Sequence, residues 1–138
     1  MPKLKAKATW IENVHTRVDN QRNHSVECDL PAPAGGSDCG PTALELCLMS
    51  LADCGMTIFA DVCKKSNIKL NKIEVTVEAD KSPDSPLITG VSMKVDVSSP
   101  ARKELLEAAW RRTEANCPVF FIFKESTPVK VDFEGKTE

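Results

Sequence analysis

Gly35-Gly-Ser-Asp-Cys-Gly-Pro-Thr-Ala-Leu-Glu-Leu-Cys-Leu-Met-Ser-Leu-Ala-Asp-Cys54, continued by Gly55-Met-Thr-Ile-Phe-Ala-Asp-Val-Cys-Lys-Lys-Ser-Asn67, is the stretch around which the rest of the chain is organised. It opens on turn residues, and Pro41 suits the first turn of a helix, where Asp38 or Thr42 can cap the free amides. It closes on Lys64, Lys65, Ser66 and Asn67, which suit a helix C-terminus and its exit. From Ala43 to Lys65 there is no proline and one glycine, Gly55, so the spacing predicts one helix of roughly 35 Å. On a helical wheel Glu45, Ser50, Asp53, Thr57 and Asp61 share one half, while Leu48, Leu51, Gly55, Ile58, Phe59 and Val62 fill the other. Glu45, Asp53 and Asp61 would each be costly in hydrocarbon, so the stretch reads as a central core helix and not a membrane span. Cys54 falls on the border of the two halves, where a thiol is shielded and still reachable. Cys47 and Cys63 read as small core hydrophobes.

A chain of 138 residues is expected to be a single domain, residues 1–138, with a core of its own. Eighteen basic and 20 acidic residues leave a net charge of -2, which offers no general attraction to nucleic acid or an anionic membrane. Aromatic residues are few and tyrosine is absent, so no base-stacking platform is expected. The start, Met1-Pro-Lys-Leu-Lys-Ala-Lys-Ala, is basic but lacks the apolar run of a signal peptide, and a cytoplasmic protein is expected. Six cysteines in a reducing compartment read as free, catalytic or metal-binding thiols and not as a disulfide framework. There is no Cys-x-x-Cys, and His15 and His24 have no partner at zinc spacing, so no metal is expected. The glycine-rich loop lacks the lysine of a phosphate cradle, and no cofactor is expected either.

Elsewhere the periodicities are short. Lys3 to Trp10 alternates like a half-buried strand, Val14 to Val18 continues or partners it, Asp19 to Asn23 is a turn, and His24 to Leu30 is a further strand. Ile73, Val75, Val77 and Ala79 alternate with polar residues, Ser82 to Pro86 turns the chain, and Val91, Met93, Val95 and Val97 mark the return strand. Ser99-Pro100 predicts the start of a second, shorter helix carrying Leu105, Leu106, Ala109 and Trp110, ending near Asn116-Cys117-Pro118. Val119 to Phe123 predicts a buried strand, Thr127 to Phe133 another, and Glu134 to Glu138 a frayed tail. Strands and helices segregate in this order, which predicts an α+β fold with an antiparallel sheet.

The run Gly35 to Cys54 is similar to the Gly-Gly…Gly-Pro-x-x-Leu-Glu-Leu…Leu-Ala-x-Cys signature of the OsmC/Ohr family of osmotically inducible and organic-hydroperoxide-resistance proteins. Asn116-Cys117-Pro118-Val119 resembles that family's second cysteine motif, and the chain resembles most the less characterised, OsmC-like branch. The resemblance implies an OsmC-like α+β fold, with antiparallel sheets, a long central helix and a second shorter helix, assembled as an intertwined homodimer with active sites at the subunit interface. Carried over by position, Cys54 matches the peroxidatic cysteine and Cys117 the resolving one. The implied activity is reduction of a small organic hydroperoxide in oxidative-stress defence, with regeneration by a dithiol or thiol reductant. A free thiol is only a few per cent thiolate at neutral pH, so such chemistry needs a nearby cation. In the family this is an arginine from the N-terminal strands, paired with a glutamate whose position is Leu44 here. Glu45 stands one step away, on the opposite side of the helix from Cys54. Arg17 is the candidate for the cation, with Arg22 beside it.

Cys47 and Cys63 lie about 10 and 13 Å along the helix from Cys54, beyond the roughly 7 Å Cα limit for a disulfide. A partner for Cys54 therefore lies off the helix, and Cys117, Cys28 and Cys39 are all candidates on that ground. A second function fits the same fold: a protein that binds a small apolar or thiol-bearing metabolite, its cysteines serving as packing or as a redox switch. The leucine at position 44 and Asp53 beside Cys54 point that way.

Overall fold

The computed structural model describes residues 2–125 and 127–136. Its long helix, α1, runs Ala43–Lys65 as the pattern predicts. Thr42 supplies the start: its Oγ1 accepts the Glu45 amide (3.1 Å), and the Glu45 carboxylate accepts the Thr42 amide (2.9 Å). This reciprocal box satisfies two amides that a helix end leaves free. At the other end Ile68 N donates to Cys63 O, and Asn67 takes the positive φ of an exit residue. Leu51, Gly55, Phe59 and Cys63, each four residues from the last, form the fully buried stripe. By length and composition α1 could cross a membrane, its most apolar window having a mean hydropathy of 1.6.

The chain divides into two compact units, Met1–Ser50 with Val77–Ser92, and Leu51–Thr76 with Met93–Glu138. In the first, β1 (Lys7–Glu12), β2 (His15–Asp19) and β3 (Ser25–Cys28) form an antiparallel meander in that spatial order. Thr16 faces Cys28 and Arg17 faces Glu27 across β2 and β3, and a bulge interrupts β1 between Trp10 and Glu12. The β2–β3 turn is built from Asp19 and Asn20 side chains that accept the amides of Gln21 and Arg22. The first strand starts later than its alternation suggests and is exposed on both faces, with Leu4 outside it and wholly in solvent. After one turn of 3-10 helix at Ala32–Ala34, Asp29 gathers the loop that leads into α1. Its carboxylate accepts the amides of Leu30 (2.8 Å), Ser37 (3.1 Å) and Cys39 (3.1 Å).

In the second unit Phe59, Cys63 and Ala109 are the centre of the core, with Ile73, Val97 and Leu106 packed on them. Burial of a side chain such as Phe59, 1 % exposed, contributes roughly 1.5–3 kcal/mol. Strands β4 (Lys72–Lys81) and β5 (Ile88–Ser98) pair as the predicted hairpin, and from Lys72 to Asp80 every second residue of β4 is half-buried.

Three of the expected elements differ in the structure. Helix α2 spans Lys103–Asn116 and starts after Arg102, not after Ser99. Ser99 closes a turn instead, its hydroxyl donating to Lys69 O and accepting the Ala101 amide. Val119 to Phe123 is not a strand but part of a third helix, α3 (Pro118–Lys124). A short apolar run does not distinguish a buried strand from a helical turn, and Pro118, pre-set for a first helical position, decides it. Thr127 to Phe133 alternates but forms no strand in this chain, and Val129, Val131 and Phe133 are 79–89 % exposed. Residues 137 and 138 of the expected tail lie outside the described residues. The result is an α+β fold with two antiparallel sheets and three helices.

Candidate active site

Cys54 precedes Gly55 of the buried stripe by one residue, and that offset leaves its side chain half-exposed in the middle of α1. Cys117 lies where α2 has ended and Pro118 begins α3, in an extended conformation (φ -83°, ψ 107°). Four residues earlier, Thr113 is buried and returns its hydroxyl to Ala109 O (2.9 Å), which anchors the last turn of α2. The two elements bring Cys117 Sγ to 3.0 Å from Cys54 Sγ. That is shorter than a loose packing contact and about 1 Å longer than a disulfide bond. Both thiols are free.

The pair is asymmetric. Cys117 is 2 % exposed, and burial pushes its thiol above the ordinary cysteine value. The contact with Cys54 pushes in the same direction, and the amides of Phe120 and Val119 oppose it. Cys117 is thus the S–H donor at neutral pH and Cys54 the acceptor that solvent reaches.

Beside Cys117 lies a cavity of about 10 Å³ bounded by Gly55, Met93, Trp110, Thr113 and Phe120, room for one water at most. A Cβ on Gly55 would come within 3.1 Å of Met93 Cε and 3.4 Å of Trp110 Cη2, so the glycine keeps this wall close to the helix backbone. Trp110 is held in place by Glu114, which accepts its Nε1–H (2.8 Å), and by a tilted contact with Phe59 at 5.7 Å.

Arg17, in β2, donates Nε–H to Glu27 Oε2 (3.0 Å), and His15 Nε2 is 3.3 Å from the other oxygen. The Arg17 bond holds the Glu27 carboxyl below the usual glutamate range. Leu44 is exposed and Glu45 is engaged in the helix cap, so neither supplies the family's glutamate to this arginine. Of the other thiols, Cys28 is buried at the end of β3, whereas Cys47, expected as a small core hydrophobe, is exposed, because it lies on α1 one turn before the buried Leu51–Cys63 stripe begins. Cys63 is buried in the core, which raises its thiol. Cys39 is exposed in the loop; partial burial first, then the Asp29 carboxylate, raises it. The Cys54–Cys117 contact is the one sulfur–sulfur hydrogen bond among the described residues. No three His, Cys, Asp or Glu side chains among the described residues cluster so as to hold a metal.

Sequence reading missed Glu27, Asp29 and Trp110. Glu27 faces Arg17 because Asp19 pairs with Ser25 and the hairpin is centred on Arg22, one residue later than the Asp19–Asn23 turn read from the sequence, which would have set Ser25 opposite Arg17. No sequence signal marks Trp110 as a wall of the thiol site.

The profile of the OsmC-like protein family matches residues 35–132. The chain belongs to the OsmC-like family. No curated protein sequence matches it. Among solved structures, the OsmC-like protein from Mycoplasma pneumoniae superposes with a TM-score of 0.79 at 15 % identity, over 91 % of this chain and 89 % of that one. An organic hydroperoxide resistance protein OsmC from Legionella pneumophila gives 0.69 at 17 % identity, over 90 % of each chain. A putative organic hydroperoxide resistance protein from Vibrio cholerae, with captopril in one of its active sites, gives 0.63 at 16 % identity, over 91 % and 87 %. At these identities the likeness is one of fold, and the OsmC-like motif residues Cys54 and Cys117 are placed in this chain by its own geometry.

Proposed function

We propose that this OsmC-like chain, folded as a single domain, is a cytoplasmic thiol peroxidase that reduces small organic hydroperoxides, with Cys54 peroxidatic and Cys117 resolving. The observation that carries the reading is the 3.0 Å contact between a solvent-reached sulfur and a buried one. The Cys54 thiolate attacks the terminal peroxide oxygen, the O–O bond breaks, and the alkoxide leaves as the alcohol after taking a proton. Cys54 is then a sulfenic acid. Cys117 sulfur attacks Cys54 sulfur, its proton and the sulfenic hydroxyl leave as water, and a disulfide remains. A dithiol or thiol reductant returns both to thiols. We assign Arg17, whose guanidinium is engaged by Glu27, the role of activating cation. The homodimer belongs to the same proposal: Trp10, Ile11, Val26, Leu44 and Met49 are exposed apolar residues, and a second copy that covered them would remove a large apolar area from water.

The binding-protein reading is favoured instead by Leu44, which stands exposed where the family has its glutamate, and by the acidic Asp53 beside Cys54. A single experiment separates the two. The reduced protein receives one equivalent of cumene hydroperoxide, and thiol loss is followed by peptide mass spectrometry. Fast loss of two thiols with a Cys54–Cys117 link is expected, abolished by Cys54→Ser, while Cys117→Ser lets Cys54 over-oxidise. Slow, scattered oxidation, or undiminished turnover in Cys54→Ser, refutes the peroxidase.

A further inference from the structure

Helix α2 and strand β5 enclose a second hollow in the Leu51–Thr76 and Met93–Glu138 unit. It is an open groove of about 470 Å³, within the range of small-molecule sites. Its floor is apolar, formed by Phe59, Val95, Leu106 and Trp110. Its rim is charged: Lys103, Glu107 and Arg111, spaced four residues apart, stand on one face of α2. Lys103 and Glu107 answer each other at 3.8 Å. Arg111 forms no ion pair among the described residues, so the groove carries one uncompensated positive charge above an apolar floor. We propose that this groove binds an apolar carboxylate, its hydrocarbon on Val95, Leu106 and Trp110 and its carboxylate on the Arg111 guanidinium.

An apolar alcohol would gain the floor and leave the guanidinium without a partner. A dianion would meet Glu107. The monoanionic carboxylate fits both, because guanidinium and carboxylate pair through two parallel hydrogen bonds. The site needs neither Cys54 nor Cys117, and it stands whether or not the thiol pair reduces peroxides.

The chain has two tryptophans, so Trp10→Phe leaves Trp110, in the groove wall, as the sole reporter. Titration of that protein with decanoate, below the concentration at which decanoate self-associates, should change Trp110 emission saturably. Decanol should bind at least about tenfold more weakly. Arg111→Gln should bring decanoate down to the decanol level without changing decanol binding or the melting temperature. Glu107→Gln, which frees Lys103 and removes a like charge, should tighten decanoate about two- to fivefold. Cys54→Ser should bind decanoate as the parent does. No saturable change, or equal decanoate binding in Arg111→Gln, overturns the proposal. A Trp110 signal that responds to protein concentration and not to decanoate also overturns it, and assigns the groove to a second copy of the chain.

Discussion

Joining Cys54 to Cys117 should stabilise the protein by an amount that follows from their separation. The sulfurs already lie 3.0 Å apart, so a bond of about 2.05 Å asks for roughly 1 Å of movement. The residues are 63 positions apart, and closing a loop of that size in the unfolded chain removes entropy equivalent to about 4.3 kcal/mol at 25 °C. For 138 residues the unfolding entropy near 60 °C is about 290 cal/mol/K, so the melting temperature should rise by roughly 15 °C, less any native strain. The assay is thermal unfolding by circular dichroism of reduced protein and of protein oxidised with one equivalent of hydroperoxide, the linkage checked by mass spectrometry. Cys117→Ser, treated identically, should show no rise. An oxidised sample that carries the Cys54–Cys117 link but melts at or below the reduced temperature refutes the reasoning. It would mean that the two elements must be pulled out of their native positions to meet.

Other perturbations test the parts that hold this geometry. Thr42→Ala removes one half of the reciprocal cap on α1 and should cost about 1 kcal/mol in a denaturant titration. Gly55→Val pushes a branched side chain at Met93 and Trp110, where a Cβ alone already reaches 3.1 Å. It should cost about 1–3 kcal/mol, and the Cys54–Cys117 link should form more slowly on peroxide addition. The folded Asp29 carboxyl is held below its ordinary 3.8 by the amide of Cys39 and then those of Leu30 and Ser37. Its contribution is therefore complete above pH 3.8 and fades as pH falls below that value toward the folded value. Asp29→Asn should lower the melting temperature at pH 7 and flatten its acid dependence below pH 4; an unchanged acid limb would refute this account of the loop. Burial raises the Cys117 thiol above its ordinary 9.0, so the stability held in its neutral form is complete below pH 9 and lost above it. Iodoacetamide should accordingly modify Cys117 far more slowly than Cys54 at pH 7.5.

The parts of this fold that were legible in the sequence are those whose pattern is long. Twenty-three residues of α1 contain enough turns for both faces to declare themselves, and the β4–β5 alternation runs far enough to fix parity. The misreadings cluster where a segment is short or where its partner lies elsewhere. Val119 to Phe123 has too few residues for its period to show, and the proline before it counted for more than its hydrophobicity. Thr127 to Phe133 has a true two-residue period, but a strand exists only by pairing, and nothing in its own residues names an edge for it. The thiol site was legible through the resemblance, since helix rise alone excluded Cys47 and Cys63 without choosing among Cys117, Cys28 and Cys39. Trp110 was read as part of the apolar side of the second helix, and it does pack half-buried against the core. That the same indole also walls the Cys117 cavity and the α2–β5 groove depends on the crossing of three elements, which no local pattern encodes.

The thiol contact also gives the molecule two lengths. Pulled from its ends, the reduced chain can extend through every residue, whereas a chain tied at Cys54 and Cys117 keeps the 63 positions between them out of the force path. At about 3.5 Å per extended residue that is roughly 220 Å of contour. A redox state set by one small displacement of two sulfurs would be readable on a single stretched molecule, with no dye and no enzyme assay.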